Sequence, residues 1–130
     1  MKFKIVDLFA GIGGFTLGFH KEGSFQTVFA NDVDPDMVQT YKLNYPDVSV
    51  QCSNITNVNF NKIISLNKNI DVVVGGPPCQ AYSTSGKRML SDPRGRLFVE
   101  YGKAISVLKP KLFIYENVKG LLSMNKGKLI

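Results

Sequence analysis

Short apolar runs alternate with helix-like stretches along the 130-residue chain. The apolar runs predict five strands, at Lys2–Phe9, Thr27–Ala30, Val48–Cys52, Asp71–Val74 and Leu112–Tyr115. Helices are predicted between them, over about 15–21, 35–44 and 59–66, and after Pro93, where Leu97, Tyr101, Ile105 and Leu108 share one face. Apolar strands that alternate with helices are typical of a parallel sheet covered on both sides, so we predict a doubly wound α/β fold.

Two loops stand out in this pattern. A glycine-rich turn follows the first strand, and a long irregular stretch runs from Gly75 to about Pro93 after the fourth. A loop of that length inside a compact domain is usually functional. If the strand order is 3-2-1-4-5, strands 1 and 4 are neighbours where the winding reverses, and ligands bind beyond the carboxyl ends there. Both loops are therefore expected over one crevice.

The glycine turn is a candidate cofactor site. Gly11, Gly13 and Gly14 permit tight turning and close approach of the backbone to a ligand. Thr16 fills the place of the third glycine of G-x-G-x-x-G, so the dinucleotide fingerprint is not met and a nicotinamide dehydrogenase is disfavoured. Asp32, at the end of strand 2, is placed to bind the two hydroxyls of a ribose; its alternative role is to cap the helix that begins at Pro35.

Two further residues at strand ends carry candidate chemistry. Cys79 follows the stiff Pro77-Pro78 pair, where a thiolate is a nucleophile; its alternative role is that of a small buried apolar residue. Glu116 ends strand 5, beside strand 4, and its alternative role is a cap or an ion-pair partner. The predicted topology brings this cysteine and this carboxyl group to one pocket.

Composition narrows the classes of protein. Apolar residues make up 44% and charged residues 20%, which is typical of one globular domain. No apolar run is long enough to span a membrane and the N-terminus does not read as a signal peptide, so a cytoplasmic protein is expected. Two cysteines and one histidine are too few for a closed zinc site, and His20 is expected to be a surface imidazole.

Charge is unevenly distributed. Residues 1–78 hold six lysines against seven acids, a net charge of −1, whereas residues 79–130 hold ten lysines and arginines against three acids, a net charge of +7. A basic half beside a near-neutral half suggests a polyanionic partner such as nucleic acid. The alternative is a solubilising surface.

Three segments carry a family resemblance. Residues 7–15 (DLFAGIGGF), 75–83 (GGPPCQAYS) and 116–118 (ENV) closely resemble ordered motifs of the cytosine-C5 DNA methyltransferases, and 31–34 (NDVD) and 92–98 (DPRGRLF) look like two more. The match spans about residues 3 to 122. It implies a Rossmann-like, S-adenosylmethionine-dependent methyltransferase fold, truncated after about the fifth strand. Residues 1–130 would be the N-terminal part of the catalytic domain, without a target-recognition domain.

The resemblance also implies cofactor contacts. Phe9 should pack against the adenine of S-adenosylmethionine, the glycine loop should pass the methionine moiety, and Leu97 should touch the cofactor. Asn54 stands where the family commonly has aspartate near the adenine amino group, and its side-chain oxygen can still accept that hydrogen bond. Asp32 occupies the ribose-binding position, where many members of the family have glutamate. Val33 occupies an adenine-packing position that is often held by a larger residue. The implied set is completed by Ala10, Gly11, Ile12, Gly13, Gly14, Ile55 and Pro77.

The catalytic roles follow from the same resemblance. Attack of the Cys79 thiolate on carbon 6 of cytosine makes carbon 5 electron-rich, so that it can take the methyl group. Glu116 would hold ring nitrogen N3, which is an acceptor, so the carboxyl must supply a proton, as a desolvated pocket favours. A base stacked in a duplex is out of reach and must be flipped. The DNA contacts implied are Gln80, Ser83, Lys87, Arg88, Arg94 and Val118.

Three functions remain open at this point. The first is methylation of cytosine in DNA, as in restriction-modification systems of the prokaryotic cytosol, with C-terminal parts or a second polypeptide supplying the recognition region. The second is methylation of cytosine in transfer RNA. The third is a non-catalytic module that binds the cofactor or nucleic acid. Little or no activity is expected from residues 1–130 alone.

Overall fold

The sheet has the predicted topology. The computed structural model describes residues 1–78 and 96–117, in which five parallel strands lie in the order β3-β2-β1-β4-β5. The strands are β1 (Phe3–Leu8), β2 (Phe25–Asp32), β3 (Ser49–Cys52), β4 (Val72–Gly75) and β5 (Leu112–Tyr115). Leu8 of β1 pairs with Gly75 of β4, so these strands end at the same edge, where the winding reverses.

Within the two described ranges, four α-helices connect the strands: α1 (Gly14–Glu22), α2 (Pro35–Asn44), α3 (Phe60–Asn67) and α4 (Leu97–Leu108). The bounds of α2 are those predicted, because Asp34 caps its first turn through the backbone N–H groups of Asp36 and Met37 and Pro35 suits the first helical position. Gly23 ends α1 in the left-handed conformation. A short 3-10 helix, Ile55–Asn57, was not predicted by the apolar pattern.

Apolar clusters cover both faces of the sheet. On one face, Val6 and Leu8 of β1 pack with Ile63 of α3 and with Tyr101 and Leu108 of α4. On the other, Ile5, Val72 and Val74 pack with Phe15 and Phe19 of α1. The predicted stripe of α4 does face the core. This two-sided burial explains why the strands are apolar at successive positions rather than at alternate ones.

β5 is the least covered strand. Among residues 1–78 and 96–117 it pairs with β4 alone, and the side chains of Leu112 and Phe113 are 54% and 55% exposed. No helix in these two ranges is both long enough and apolar enough to cross a membrane.

Candidate active site

The backbone of the glycine turn is tightly specified. Phe9, Gly11 and Gly13 all have positive φ, at 54°, 54° and 97°. A methyl group on Gly13 would overlap the Tyr45 ring, so both conformation and space require glycine there. Phe9 is a bulky residue in the left-handed region, a strained conformation that is most often found at functional sites. Gly14 has ordinary φ and open space around it, so only two of the three glycines are needed for the turn itself.

Asp32 holds the tip of this turn. Its Oδ2 accepts a hydrogen bond of 2.8 Å from the Gly11 N–H, and its Oδ1 accepts one of 3.0 Å from the Asp34 N–H. The helix cap that was the alternative role of Asp32 belongs to Asp34 instead. A carboxylate oxygen can accept two hydrogen bonds, so each oxygen of Asp32 retains a lone pair for a ligand.

A pocket of about 340 Å³ opens at this edge of the sheet. It brings together seven of the residues predicted to contact a cofactor: Phe9, Gly11, Asp32, Val33, Asn54, Ile55 and Leu97. The wall is completed by residues not in that set: Asn31, Asp34, Met37, Ser53, Gly76 and Pro78. The pocket is not lined by the other predicted contacts, which are Ala10, Ile12, Gly13, Gly14 and Pro77. Ile12 is 54% exposed, and Pro77 is buried, although its sequence neighbours Gly76 and Pro78 both line the pocket.

Asn54 is already engaged. Its Oδ1 accepts hydrogen bonds from the backbone N–H and the hydroxyl of Thr56, at 3.1 and 3.0 Å, and so caps the 3-10 helix. These bonds occupy both lone pairs of the amide oxygen, so an adenine amino group would have to displace the Thr56 hydroxyl to reach it. The Asn-x-Thr pattern is the sequence signal that could have predicted this turn.

Glu116 lies against the end of β4. Its backbone N–H donates to the Gly75 carbonyl at 3.0 Å, and a methyl group on Gly76 would come within 2.8 Å of its Oε2. Gly76 also lines the pocket, so the carboxylate stands at the pocket's border. The Glu116 side chain is exposed, so the desolvation expected for it is not supplied by the described residues.

Several predicted residues lie outside the described ranges. They are Cys79, Gln80, Ser83, Lys87, Arg88, Arg94 and Val118. The described chain approaches Cys79 through Gly76, Pro77 and Pro78, the first and last of which line the pocket.

His20 differs from its prediction as a surface imidazole. It is half-buried, its Nε2 accepts the Thr27 N–H at 3.2 Å, and its ring meets Tyr45 edge-on. Burial, with a smaller effect from Lys2, lowers the pKa of His20. The imidazole is therefore a neutral structural acceptor.

A buried polar cluster under the glycine turn was not predicted. Asp7 is fully buried, and its Oδ2 accepts the Thr16 hydroxyl at 2.8 Å. The Thr16 hydroxyl also lies 2.6 Å from the Tyr41 hydroxyl and 3.1 Å from that of Thr27. Burial raises the pKa of Asp7 to about 7, against the opposing effect of its hydrogen bonds to Thr16. Two sequence signals could have predicted this cluster: Asp7 is an acid inside an apolar strand, and Thr16 stands in place of a glycine.

The fold and the pocket define a class of protein: a doubly wound α/β domain with a pocket at its topological switch point, where ligands bind in such folds. Comparison with known proteins is more specific, because the family model of the C-5 cytosine-specific DNA methylases matches residues 3–130. The chain belongs to this family.

Individual relatives agree with that assignment. The chain is 42% identical over 135 residues to the type II methyltransferase M.AquIA of Picosynechococcus sp., covering all of this chain and 54% of that protein. It is 43% identical over 120 residues to the type II methyltransferase M.XorII of Xanthomonas oryzae pv. oryzae, covering 89% of this chain and 28% of that one. The chain thus spans about half or less of the length of these relatives.

Solved structures agree as well. A prophage-encoded candidate DNA modification methyltransferase of Escherichia coli superposes with a TM-score of 0.81 at 30% identity, covering 98% of this chain and 35% of that one. DNA methyltransferase folds of this kind generally depend on S-adenosylmethionine.

Proposed function

We propose that this chain forms the cofactor-binding and catalytic part of an enzyme that transfers a methyl group from S-adenosylmethionine to carbon 5 of cytosine in DNA. The observation that carries the proposal is the position of the Glu116 carboxylate. It lies against Gly76, which lines the pocket and is three residues before Cys79. A candidate acid therefore borders a candidate cofactor pocket, and the candidate nucleophile follows Gly76 three residues further along the sequence.

The pocket fits a nucleoside. Its volume of about 340 Å³ is within the range of small-molecule sites, roughly 300–1,000 Å³. Phe9, Val33, Ile55 and Leu97 supply apolar walls for a flat base, and Asp32 retains lone pairs for two ribose hydroxyls. These five residues would hold S-adenosylmethionine, which supplies an electrophilic methyl group when bound. The NH₂ group of Asn54 would face a ring nitrogen of the base, since its oxygen is occupied by Thr56.

Cys79 and Glu116 would divide the chemistry at the cytosine ring. The Cys79 thiolate adds to carbon 6, and Glu116 donates a proton to N3, so the electron pair released by addition is directed to carbon 5. After methylation, the carbon 5 proton is lost to a base, the thiolate departs from carbon 6 and N3 returns its proton to Glu116, so the aromatic ring and the free enzyme are restored. Glu116 is exposed at the pocket border, so the entering base itself would desolvate it. The base must leave the duplex stack to reach this position.

DNA is favoured as the substrate because the curated relatives are type II methyltransferases. The basic stretch after residue 79 would contact the phosphate backbone through Ser83, Lys87, Arg88 and Arg94, with Gln80 and Val118 beside the base. The relatives extend beyond this chain, so the proposal places sequence recognition in additional polypeptide, either continuous with this chain or separate.

The direct test is transfer of an isotopically labelled methyl group by the complete protein into duplex DNA and, in parallel, into transfer RNA. Mass spectrometry of the digested nucleosides should find labelled 5-methyldeoxycytidine from DNA. Cys79→Ser should abolish the product, whereas Cys52→Ser, a change at an exposed thiol, should retain it. Label in RNA alone would replace DNA by RNA as the substrate, and label in neither would overturn the proposal.

A further inference from the structure

The buried cluster under the glycine turn has a property that the proposed methyl transfer does not use. Asp7 is fully buried, and among the described residues its Oδ1 has no hydrogen-bond partner. Thr16 has one hydroxyl proton and gives it to Asp7 Oδ2, so the hydroxyls of Tyr41 and Thr27 must donate to Thr16. The hydrogen bonds thus converge on Asp7, whose carboxylate is approached by the hydroxyl and the backbone N–H of Thr16.

The groups around Asp7 leave its charge unbalanced. The titratable groups that face it are Asp32 of β2, Tyr41 and Tyr45 of α2 and Tyr101 of α4, and His20 of α1 is joined to the cluster through Thr27. The carboxyl group of Asp32 and the three phenols carry no positive charge in either protonation state, and burial lowers the pKa of His20, so none of these groups is a cation at neutral pH. The pKa of Asp7 itself is raised to about 7, chiefly by burial.

The cluster supports the turn that faces the pocket. Asp7 lies on β1, two residues before Phe9. Thr16 is in the first turn of α1, which begins directly after Gly13. The Tyr45 hydroxyl donates to the Gly13 carbonyl at 3.2 Å. A negative charge on Asp7 is therefore joined through Thr16 to the start of α1, which directly follows the glycine turn that the proposed cofactor would pass.

We propose that Asp7 is the counter-charge by which the glycine turn favours a cofactor with a cationic sulfonium over the thioether product, whose sulfur is neutral. This inference rests on the proposed binding of S-adenosylmethionine. Both ligands carry the same amino-acid ammonium and carboxylate groups, so they differ only by the methyl group and by the positive charge on sulfur. That charge gives the sulfonium an additional attraction to an ionised Asp7. Because linkage is reciprocal, binding of the sulfonium releases the Asp7 proton, whereas binding of the thioether does not. Asp7 is a positioning residue in this scheme and touches no reacting atom.

The test is calorimetric titration of the complete protein with S-adenosylmethionine and, separately, S-adenosylhomocysteine. Between about pH 6 and about pH 8, affinity for the sulfonium should rise about fivefold or more, and affinity for the thioether should change less than about twofold. Paired titrations in two buffers of different ionisation enthalpy should detect proton release with the sulfonium only. This comparison needs no variant and reports on binding without turnover.

Substitutions in the cluster test whether the proton released on binding comes from Asp7. Asp7→Asn should make the sulfonium affinity independent of pH. Thr16→Val removes the hydroxyl donor and should move the transition to higher pH, whereas Thr16→Ser should restore it. His20→Gln should leave the transition in place.

Contrary results separate the two proposals. Equal pH dependence for both ligands, or none for either, would overturn the role of Asp7 and leave the proposed function standing. Failure of both ligands to bind at every pH would overturn both proposals.

Discussion

At the scale of single residues, the site depends on positions where the neighbouring side chains require one particular residue type. Thr16 is the clearest case, since one hydroxyl joins Asp7, Thr27 and Tyr41. A third glycine at this place would leave three buried polar groups without that partner, and each buried unsatisfied group costs about 1–3 kcal/mol. The departure of this chain from the dinucleotide fingerprint therefore has a structural reason.

Gly13 and Gly14 form a matched pair for testing the turn. Gly13→Ala should lower the free energy of unfolding by about 1–3 kcal/mol, because a methyl group there meets the Tyr45 ring and φ is 97°. Gly14→Ala should be neutral or stabilising, since it adds a better helix former in open space. Urea unfolding measures both changes, and equal stabilities of the two variants would contradict the observed turn.

Asp7 predicts an unusual pH dependence of stability. The folded protein binds the Asp7 proton more tightly than the unfolded chain, because the pKa rises from 3.8 to about 7 on burial. This contribution is fully present below pH 4 and is lost as pH rises through 7. Wild type should therefore lose stability relative to Asp7→Asn, at up to about 1.4 kcal/mol per pH unit over this window.

His20 acts in the opposite direction. Its pKa is lowered in the folded state, so its contribution is lost as pH falls below 6.5. Unfolding should therefore be measured with His20 and with His20→Gln. A stability difference between wild type and Asp7→Asn that does not vary with pH in either background would contradict the raised pKa.

At the scale of elements, the end of β4 positions the site. A methyl group on Gly75 would meet the Leu8 carbonyl of β1 and the ring of Tyr101, whose hydroxyl donates to the Ile114 carbonyl of β5 at 2.8 Å. Three strands and α4 therefore meet at Gly75, four residues before Cys79 in the sequence. At Gly76, the next residue, the three atoms nearest to an added methyl group all belong to Glu116.

Alanine at these two glycines should separate stability from activity. Gly75→Ala should destabilise the fold by about 1–3 kcal/mol, because the methyl group meets backbone and ring atoms at 2.7 Å. Gly76→Ala meets the flexible end of Glu116 at 2.8 Å, so it should cost about 1 kcal/mol or less in stability but displace the carboxylate. Methyl transfer by Gly76→Ala should fall at least about tenfold while its melting temperature stays near that of wild type. Full activity in that variant would contradict the role of Glu116.

At the scale of the whole molecule, sequence reasoning predicted the order of the sheet and the bounds of α2. Local signals suffice there, because apolar strands fix the sheet class and Asp34-Pro35 fixes the start of the helix. The cluster around Asp7 was not predictable in the same way, because Thr27 and Tyr41 approach Thr16 only through packing of β2 and α2. The positive φ of Phe9 likewise has no local signal, since no steric rule favours phenylalanine there.

The exposed edge of the sheet is also a whole-molecule feature. Leu112 and Phe113 are more than half exposed on β5, and the relatives are longer than this chain. An exposed apolar edge strand favours pairing with further polypeptide. Residues 1–130 alone are accordingly predicted to transfer little or no methyl group, and robust turnover by this segment after purification would contradict that prediction.

The central claim, nucleophilic attack by Cys79 beside Glu116, is tested most directly by covalent trapping. The complete protein would be incubated with S-adenosylmethionine and duplex DNA that carries 5-fluorocytosine, whose fluorine cannot leave as the carbon 5 proton does. Peptide mass spectrometry should locate a stable adduct on Cys79, and Glu116→Gln should slow its formation. Absence of an adduct, or its location on Cys52, would contradict the account.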